Sequence, residues 1–154
     1  MEYFSAVLSA EESNRMVSRI EAHFEERGFG LWAIEIPNVT SFAGFIGLTV
    51  ARCEARFTPC VEIGWRLAAG HWGRGYASEA ARAALEHGFV TLGLDEIVSF
   101  TALPNLRSQA VMRRIGMHDR GEMFEHPGVA PGHPLRPHCL YRLARREWEA
   151  GQAA

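Results

Sequence analysis

Apolar residues recur along this chain at two spacings, one helical and one extended, and the switches between them outline the elements. Met16, Val17, Ile20 and Phe24 share one helical face, and Ser9-Ala-Glu-Glu12 just before them has the form of a capping box. That helix should stop near Gly28. Three strand-like runs follow, Leu31–Ile36, Phe42–Ala51 and Val61–Leu67, separated by turn residues such as Pro37-Asn38 and Thr58-Pro59. After Gly75 the helical spacing returns as a broad stripe of Ala77, Ala80, Ala81, Ala84, Leu85, Gly88, Phe89 and Leu92, with Gly93 placed to end it. Ile97–Ala102 reads as a buried strand. Asn105 can cap a third helix that runs to Ile115 and ends at Gly116, and Cys139–Leu143 is a last strand after the loop from Phe124 to Pro137.

The order of elements constrains the topology. Three strands joined by short turns should be antiparallel, whereas Val61–Leu67, the helix after Gly75 and Ile97–Ala102 form a βαβ unit with parallel strands. The expected fold is α/β (α+β), with a mixed, mostly antiparallel sheet and helices on both faces. A chain of 154 residues, 47% hydrophobic and 22% charged, fits one compact domain over 1–154.

Charge and cysteine content narrow the class of partner. A net charge of −2 offers no basic field for nucleic acid. No apolar run reaches the ~18–20 residues of a membrane span, and the first residues lack the basic-then-apolar pattern of a leader. Cys53, Cys60 and Cys139 are odd in number and lack CxxC spacing, so they read as free thiols of a cytoplasmic protein.

Chemistry concentrates between the third strand and the second helix. Gly70, Gly73 and Gly75 lie within six residues, so the backbone there can turn tightly and approach a ligand. The helix that follows aims its unpaired N–H groups and positive dipole end at the same point, an arrangement that binds phosphate. No Lys-Ser/Thr follows the glycines, and GxGxxG cannot be laid over Gly73–Ser78, so neither a Walker A loop nor a dinucleotide fingerprint is present.

Three segments together carry a resemblance. Glu62-Ile-Gly-Trp-Arg-Leu67, Trp72-Gly-Arg-Gly-Tyr-Ala-Ser-Glu-Ala80 and Asn105-Leu-Arg-Ser-Gln-Ala-Val-Met-Arg-Arg-Ile-Gly-Met117 resemble the GNAT superfamily of N-acetyltransferases, in particular its ribosomal-protein N-terminal acetyltransferase branch. The likeness is dense from Gly30 to Met117. It implies acetyl-CoA as co-substrate, an amine as acceptor and direct transfer. The family's loop pattern Gln/Arg-x-x-Gly-x-Gly/Ala falls on Trp72-x-x-Gly75-x-Ala77, so the resemblance gives the coenzyme's pyrophosphate to the backbone amides of Gly73, Arg74, Gly75, Tyr76, Ala77 and Ser78. Trp72 departs from the usual Gln/Arg, and because the loop acts through amides this should alter packing rather than binding. Arg74 either adds a phosphate contact or is a solvated loop arginine.

Along the third strand Val61, Ile63, Trp65 and Leu67 form one face, while Glu62, Gly64 and Arg66 share the other. The resemblance implies that this strand splays from Ile97–Ala102, that the pantetheine arm lies along Gly64, Trp65, Arg66 and Leu67, and that Glu62 stands beside the thioester. Acetyl transfer needs a base for the amine and help for the leaving thiolate. Glu62 is the candidate base, with pairing to Arg66 or Arg52 as the structural alternative. Asn105 is an N-cap, and by resemblance also a pantetheine contact. Met112 stands where many relatives carry a tyrosine acid, which leaves Ser108 as the nearest hydroxyl to the thiol. Arg107 and Arg113 are either partners of the 3′-phosphate or solvated helix charges.

Two further features widen the alternatives. His126, His133, His138 and Cys139 lack the tight ligand pairs of structural zinc sites, so no metal is expected. With Arg136 and Tyr141 they could instead shape the acceptor pocket. Relatives open with a strand and helix before the segment matching Glu2-Tyr-Phe-Ser5, so the resemblance implies that these elements are missing, and a bare sheet edge could recruit a second copy as a homodimer. An idle acyl-CoA-binding or regulatory module, and a metal-binding interaction protein, are the competing functions.

Overall fold

A computed structural model describes residues 8–153. The capping box forms as read: Glu12 N–H donates to Ser9 Oγ at 3.2 Å, and Ser9 N–H donates to Glu12 Oε2 at 2.7 Å. Helix α1 (Ala10–Arg27) starts there and ends at Gly28, whose left-handed φ of 77° lets its N–H reach Phe24 O. Strands β1 (Leu31–Ile36), β2 (Thr40–Val50) and β3 (Val61–Leu67) follow as an antiparallel meander. Helix α2 (Tyr76–Glu86) crosses back to β4 (Glu96–Ala102), parallel to β3. Helix α3 (Leu106–Arg114) leads to the antiparallel pair β5 (His118–Glu125) and β6 (Pro137–Ala144), and α4 (Arg145–Gln152) closes the described chain. Among the described residues six strands lie in the order β1-β2-β3-β4-β6-β5, with β1 at one edge.

The helix after Gly75 reaches as far as its apolar stripe predicts, but its end differs in form. Residues His87–Thr91 widen into a π-type turn, with Leu92 N–H donating to His87 O. Gly88 explains why the turn can press onto the sheet, since a Cβ there would lie 2.6 Å from Ile97 Cδ1 and 2.9 Å from Leu48 Cδ1. Leu48, Ile63, Leu85, Phe89 and Ile97 are fully buried around that contact. Each contributes about 1.5–3 kcal/mol by leaving water.

Strand alternation puts Ile63, Ile97, Ser99 and Tyr141 on the face that carries α2 and α3, and Trp148 of α4 packs on Phe89 there at 5.3 Å. Phe24 of α1 meets Trp32 edge-on on that same side. The expectation of helices on both faces is therefore met differently. Among the described residues the opposite face is covered beside β4 by the loop between β2 and β3, whose Phe57 packs on Phe100 of β4 and Phe124 of β5. The short α4 was not anticipated. Glu147, which accepts from Ala144 N–H at 2.8 Å, starts it within too few residues to show a helical period. The segment Glu2–Ser5 lies outside the described residues.

Candidate active site

The glycine loop takes the form its composition suggests. A single 3-10 turn at Ala69–His71 leads into Gly73 and Gly75, with φ values of 72° and 84°. A Cβ at either would meet nothing within 4 Å, so glycine is needed for backbone conformation while the space above stays open. Gly75 is the N-cap of α2 and, among the described residues, no side chain caps that helix, so its first amides face the open space. Ser78 is buried at 6% and Arg74 is exposed. Trp72 has a role that the family pattern does not suggest. Its indole Nε1 donates to Leu67 O at 2.9 Å, tying the loop to the end of β3, and the Arg107 guanidinium stacks over its ring at 4.7 Å.

Strands β3 and β4 share one residue pair in register, Glu62 with Val98, and no further pair among the described residues. Ser99 Oγ donates to Ile63 O at 2.9 Å just beside it. Beyond that point the strands part. Ala68 N–H donates to Ala43 O on the β2 side, so by alternation the amides of Trp65 and Leu67 point into the opening.

Glu62 sits at the apex of this opening. A Cβ at Gly64 would lie 3.7 Å from Glu62 Oε1, so the carboxylate leans over the glycine. Burial pushes its pKa up to about 7. Arg66, next on that face, lies over the Phe45 ring at 5.5 Å.

Helix α3 supplies the second wall. Asn105 Oδ1 accepts from Ser108 N–H at 3.2 Å, and its amide donates to Thr101 Oγ1 at 2.9 Å and to Ser108 Oγ at 3.0 Å. Both amide protons are thus used within the protein, and Ser108, having accepted one of them, keeps its own proton to donate. Met112 is 1% exposed and forms part of the wall.

One cleft of about 1170 Å³ joins these parts, with Gly73, Gly75 and Ser78 at one end, Glu62 and Gly64 at the strand opening, and His126 and His138 beyond. Several other sequence expectations are corrected. Tyr141 does not line the cleft: it is fully buried and its hydroxyl accepts from Arg113 Nη1 at 2.9 Å, which ties the exposed Arg113 to the edge of the core. Arg136 is held by Glu125 at 2.9 Å and by Val129 O, and His133 accepts from Leu135 N–H, so both serve the loop. Among the described residues no group of three or more His, Cys, Asp or Glu could hold a metal ion, and the cysteines are free. No described helix is long and apolar enough to cross a membrane. Sequence reasoning missed Ser99 and Phe100. A hydroxyl inside the apolar run Ile97–Ala102 was the available signal for the first.

A mixed sheet opened between two parallel strands, with an amide loop at one end of the gap, defines an acetyltransferase fold. The chain belongs to the GNAT acetyltransferase family, whose domain model, acetyltransferase (GNAT) domain, matches residues 1–118. It is 31% identical over 118 residues to the uncharacterized protein YkkB of Bacillus subtilis, covering 77% of this chain and 67% of that one. It is 33% identical over 125 residues to the FsC-acetyl coenzyme A-N(2)-transacetylase of Aspergillus fumigatus, covering 79% and 52%. A solved acetyltransferase from Agrobacterium tumefaciens superposes with a TM-score of 0.66 at 29% identity, over 88% of this chain and 72% of that one. The chain thus spans between half and two thirds of the length of these two curated relatives.

Proposed function

We propose that this chain transfers an acetyl group from acetyl-CoA to a primary amine by direct attack. The observation that carries the reading is the cleft itself, which runs from a helix N-terminus without a side-chain cap among the described residues to the half-buried carboxylate of Glu62, through a gap between parallel strands. The residues fit the co-substrate. The open space over Gly73 and Gly75 admits a pyrophosphate against the amides of residues 73–78, and the amides of Trp65 and Leu67 suit the pantetheine arm. When bound, acetyl-CoA supplies an activated acyl carbon.

Glu62 accepts the proton of the attacking amine as the N–C bond forms and the C–S bond breaks. A carboxylate that titrates near neutrality suits that role. Ser108 offers its hydroxyl proton to the departing sulfur as a hydrogen bond, held in place by Asn105. No cysteine lies in the three motifs, so nothing there favours an acyl-enzyme.

The reading extends to the whole chain as one cytoplasmic domain, consistent with three free thiols. The amine is that of a protein N-terminus or of a small molecule. Pairing of β1 with a second copy is open to light scattering, because β1 is an edge strand among the described residues. The alternative, a coenzyme-binding module without turnover, draws on Met112 standing in place of an acid. Purified protein incubated with acetyl-CoA and an amine panel tests the two. Amine-dependent thiol release is expected, and coenzyme binding without any release would favour the idle module.

A further inference from the structure

The acceptor end of the cleft has a composition that the amide loop does not explain. Glu62 is the sole carboxylate that lines the cleft among the described residues. The arginines that line it lie toward the coenzyme side, where Arg107 stacks over Trp72, Arg82 donates to Arg114 O, and Arg66 lies over Phe45. A polyamine carries a second and third ammonium that must each be neutralised or left in water. Beside Phe100, His126 and His138 such groups would leave water and find no second carboxylate among the described lining residues to offset that cost.

The same end is walled by flat rings. Phe100, His126 and His138 line it, with His126 and His138 centroids 4.8 Å apart and Phe100 within 5.9 Å of His126 and 6.3 Å of His138. Phe124 stands behind all three, edge-on to Phe100 at 5.4 Å, and Phe57 supports Phe124 at 4.9 Å. The histidines are fixed within this wall. Gly128 N–H donates to His126 Nδ1 at 3.0 Å, and His138 Nδ1 lies 3.0 Å from Arg136 O. Burial holds both imidazoles below their ordinary range, so at neutral pH the wall is uncharged. Leu135 and Val129 add apolar surface to the cleft.

Register connects the wall to the base. Glu62 pairs with Val98, and Phe100 is two residues further along β4 on the same sheet face. A primary amine at Glu62 would therefore carry its body toward Phe100 and the histidines. We infer that the amine taken by this cleft is borne on a flat aromatic body with no second positive charge, seated against Phe100, His126 and His138. This inference rests on the acetyl-transfer reading for its chemistry, although binding can be read without turnover.

The test is calorimetric titration of phenethylamine and of spermidine into the coenzyme A-saturated protein at pH 7.5, alongside thiol release from acetyl-CoA. Phenethylamine should bind more tightly than spermidine. Phe100→Leu should weaken phenethylamine by about fivefold to tenfold, the size of a lost aromatic contact, while leaving coenzyme A affinity unchanged. His138→Gln should act in the same direction, which keeps the test informative if Phe100→Leu folds poorly. Spermidine binding as tightly as phenethylamine, no measurable binding of phenethylamine, or wild-type phenethylamine affinity in both variants would overturn the inference. Phenethylamine binding without thiol release would support the inference about the cleft and count against acetyl transfer.

Discussion

Ser99 and Ile63 hold the two parallel strands together at the point where they begin to part: the serine hydroxyl donates to the isoleucine carbonyl at 2.9 Å, with Ser99 only 2% exposed. One side-chain bond stands where a continuing strand pair would place backbone bonds. Ser99→Ala leaves a buried carbonyl without its donor, which costs about 1–3 kcal/mol. Urea denaturation should show that loss, and coenzyme A affinity should fall as the edge of the opening loosens. A variant with wild-type stability would remove Ser99 from this role.

The glycine loop separates into positions with different needs. Gly73 and Gly75 have left-handed φ values, whereas Gly70 does not, and a Cβ at Gly70 would meet nothing within 4 Å. Coenzyme A should raise the melting temperature of the wild type, with NAD and ATP doing little. Gly70→Ala should keep that shift. Gly75→Glu should abolish it, because the new side chain is strained at φ 84° and places a negative charge over the phosphate amides. Thermal melts with and without coenzyme A decide the matter, and a Gly75→Glu variant that still binds would refute the loop assignment.

Much of this was legible in the sequence because it depends on local rules. The capping box at Ser9, the alternation of Val61–Leu67 and the glycine spacing each act over a few residues, and each took the expected form. The parallel β3–β4 pair followed from the length of the connection between them. What the sequence hid depends on long-range register. Tyr141 and Arg113 meet only because β6 pairs with β4 beneath α3, so a tyrosine read as pocket lining lies in the core. Phe100, His126 and His138 form one wall from a strand, a loop and another strand, and nothing in their spacing announces it. Residues 87–91 hide for a different reason, since a π-type turn and an α-helical turn bury nearly the same apolar positions.

Trp72 links loop, strand and helix, and its two contacts can be separated. Trp72→Phe keeps a ring beneath Arg107 but removes the indole donor to Leu67 O. The lost hydrogen bond is worth about 1 kcal/mol, so coenzyme A should bind roughly fivefold more weakly. Trp72→Ala should weaken it further, because the stacking partner of Arg107 goes as well. Equal affinities for wild type and both variants, measured by calorimetry, would mean that the loop holds its shape unaided.

Glu62 should move activity and stability in opposite directions. Its carboxyl titrates near 7 in the fold, against 4.5 for an ordinary glutamate, because burial penalises the charged form. As a base it must be ionised, so kcat/KM should rise with pH up to about 7 through this group, while an alkyl amine's own titration lies higher, at about 10 as for lysine. Glu62→Gln should lower turnover by about 10²-fold and remove the limb near pH 7. The stability argument has the reverse sign. A folded-state pKa raised above the unfolded one gives a contribution that is complete below pH 4.5 and is lost as pH rises through 7. Above that point the wild type carries an uncompensated charge costing about 3 kcal/mol, which the amide of the glutamine variant avoids. Glu62→Gln should therefore melt several degrees above the wild type at pH 8, with the difference shrinking toward pH 4. A variant that loses activity and is also less stable at pH 8 would show that the carboxylate is held by a partner charge and serves the fold, not the reaction.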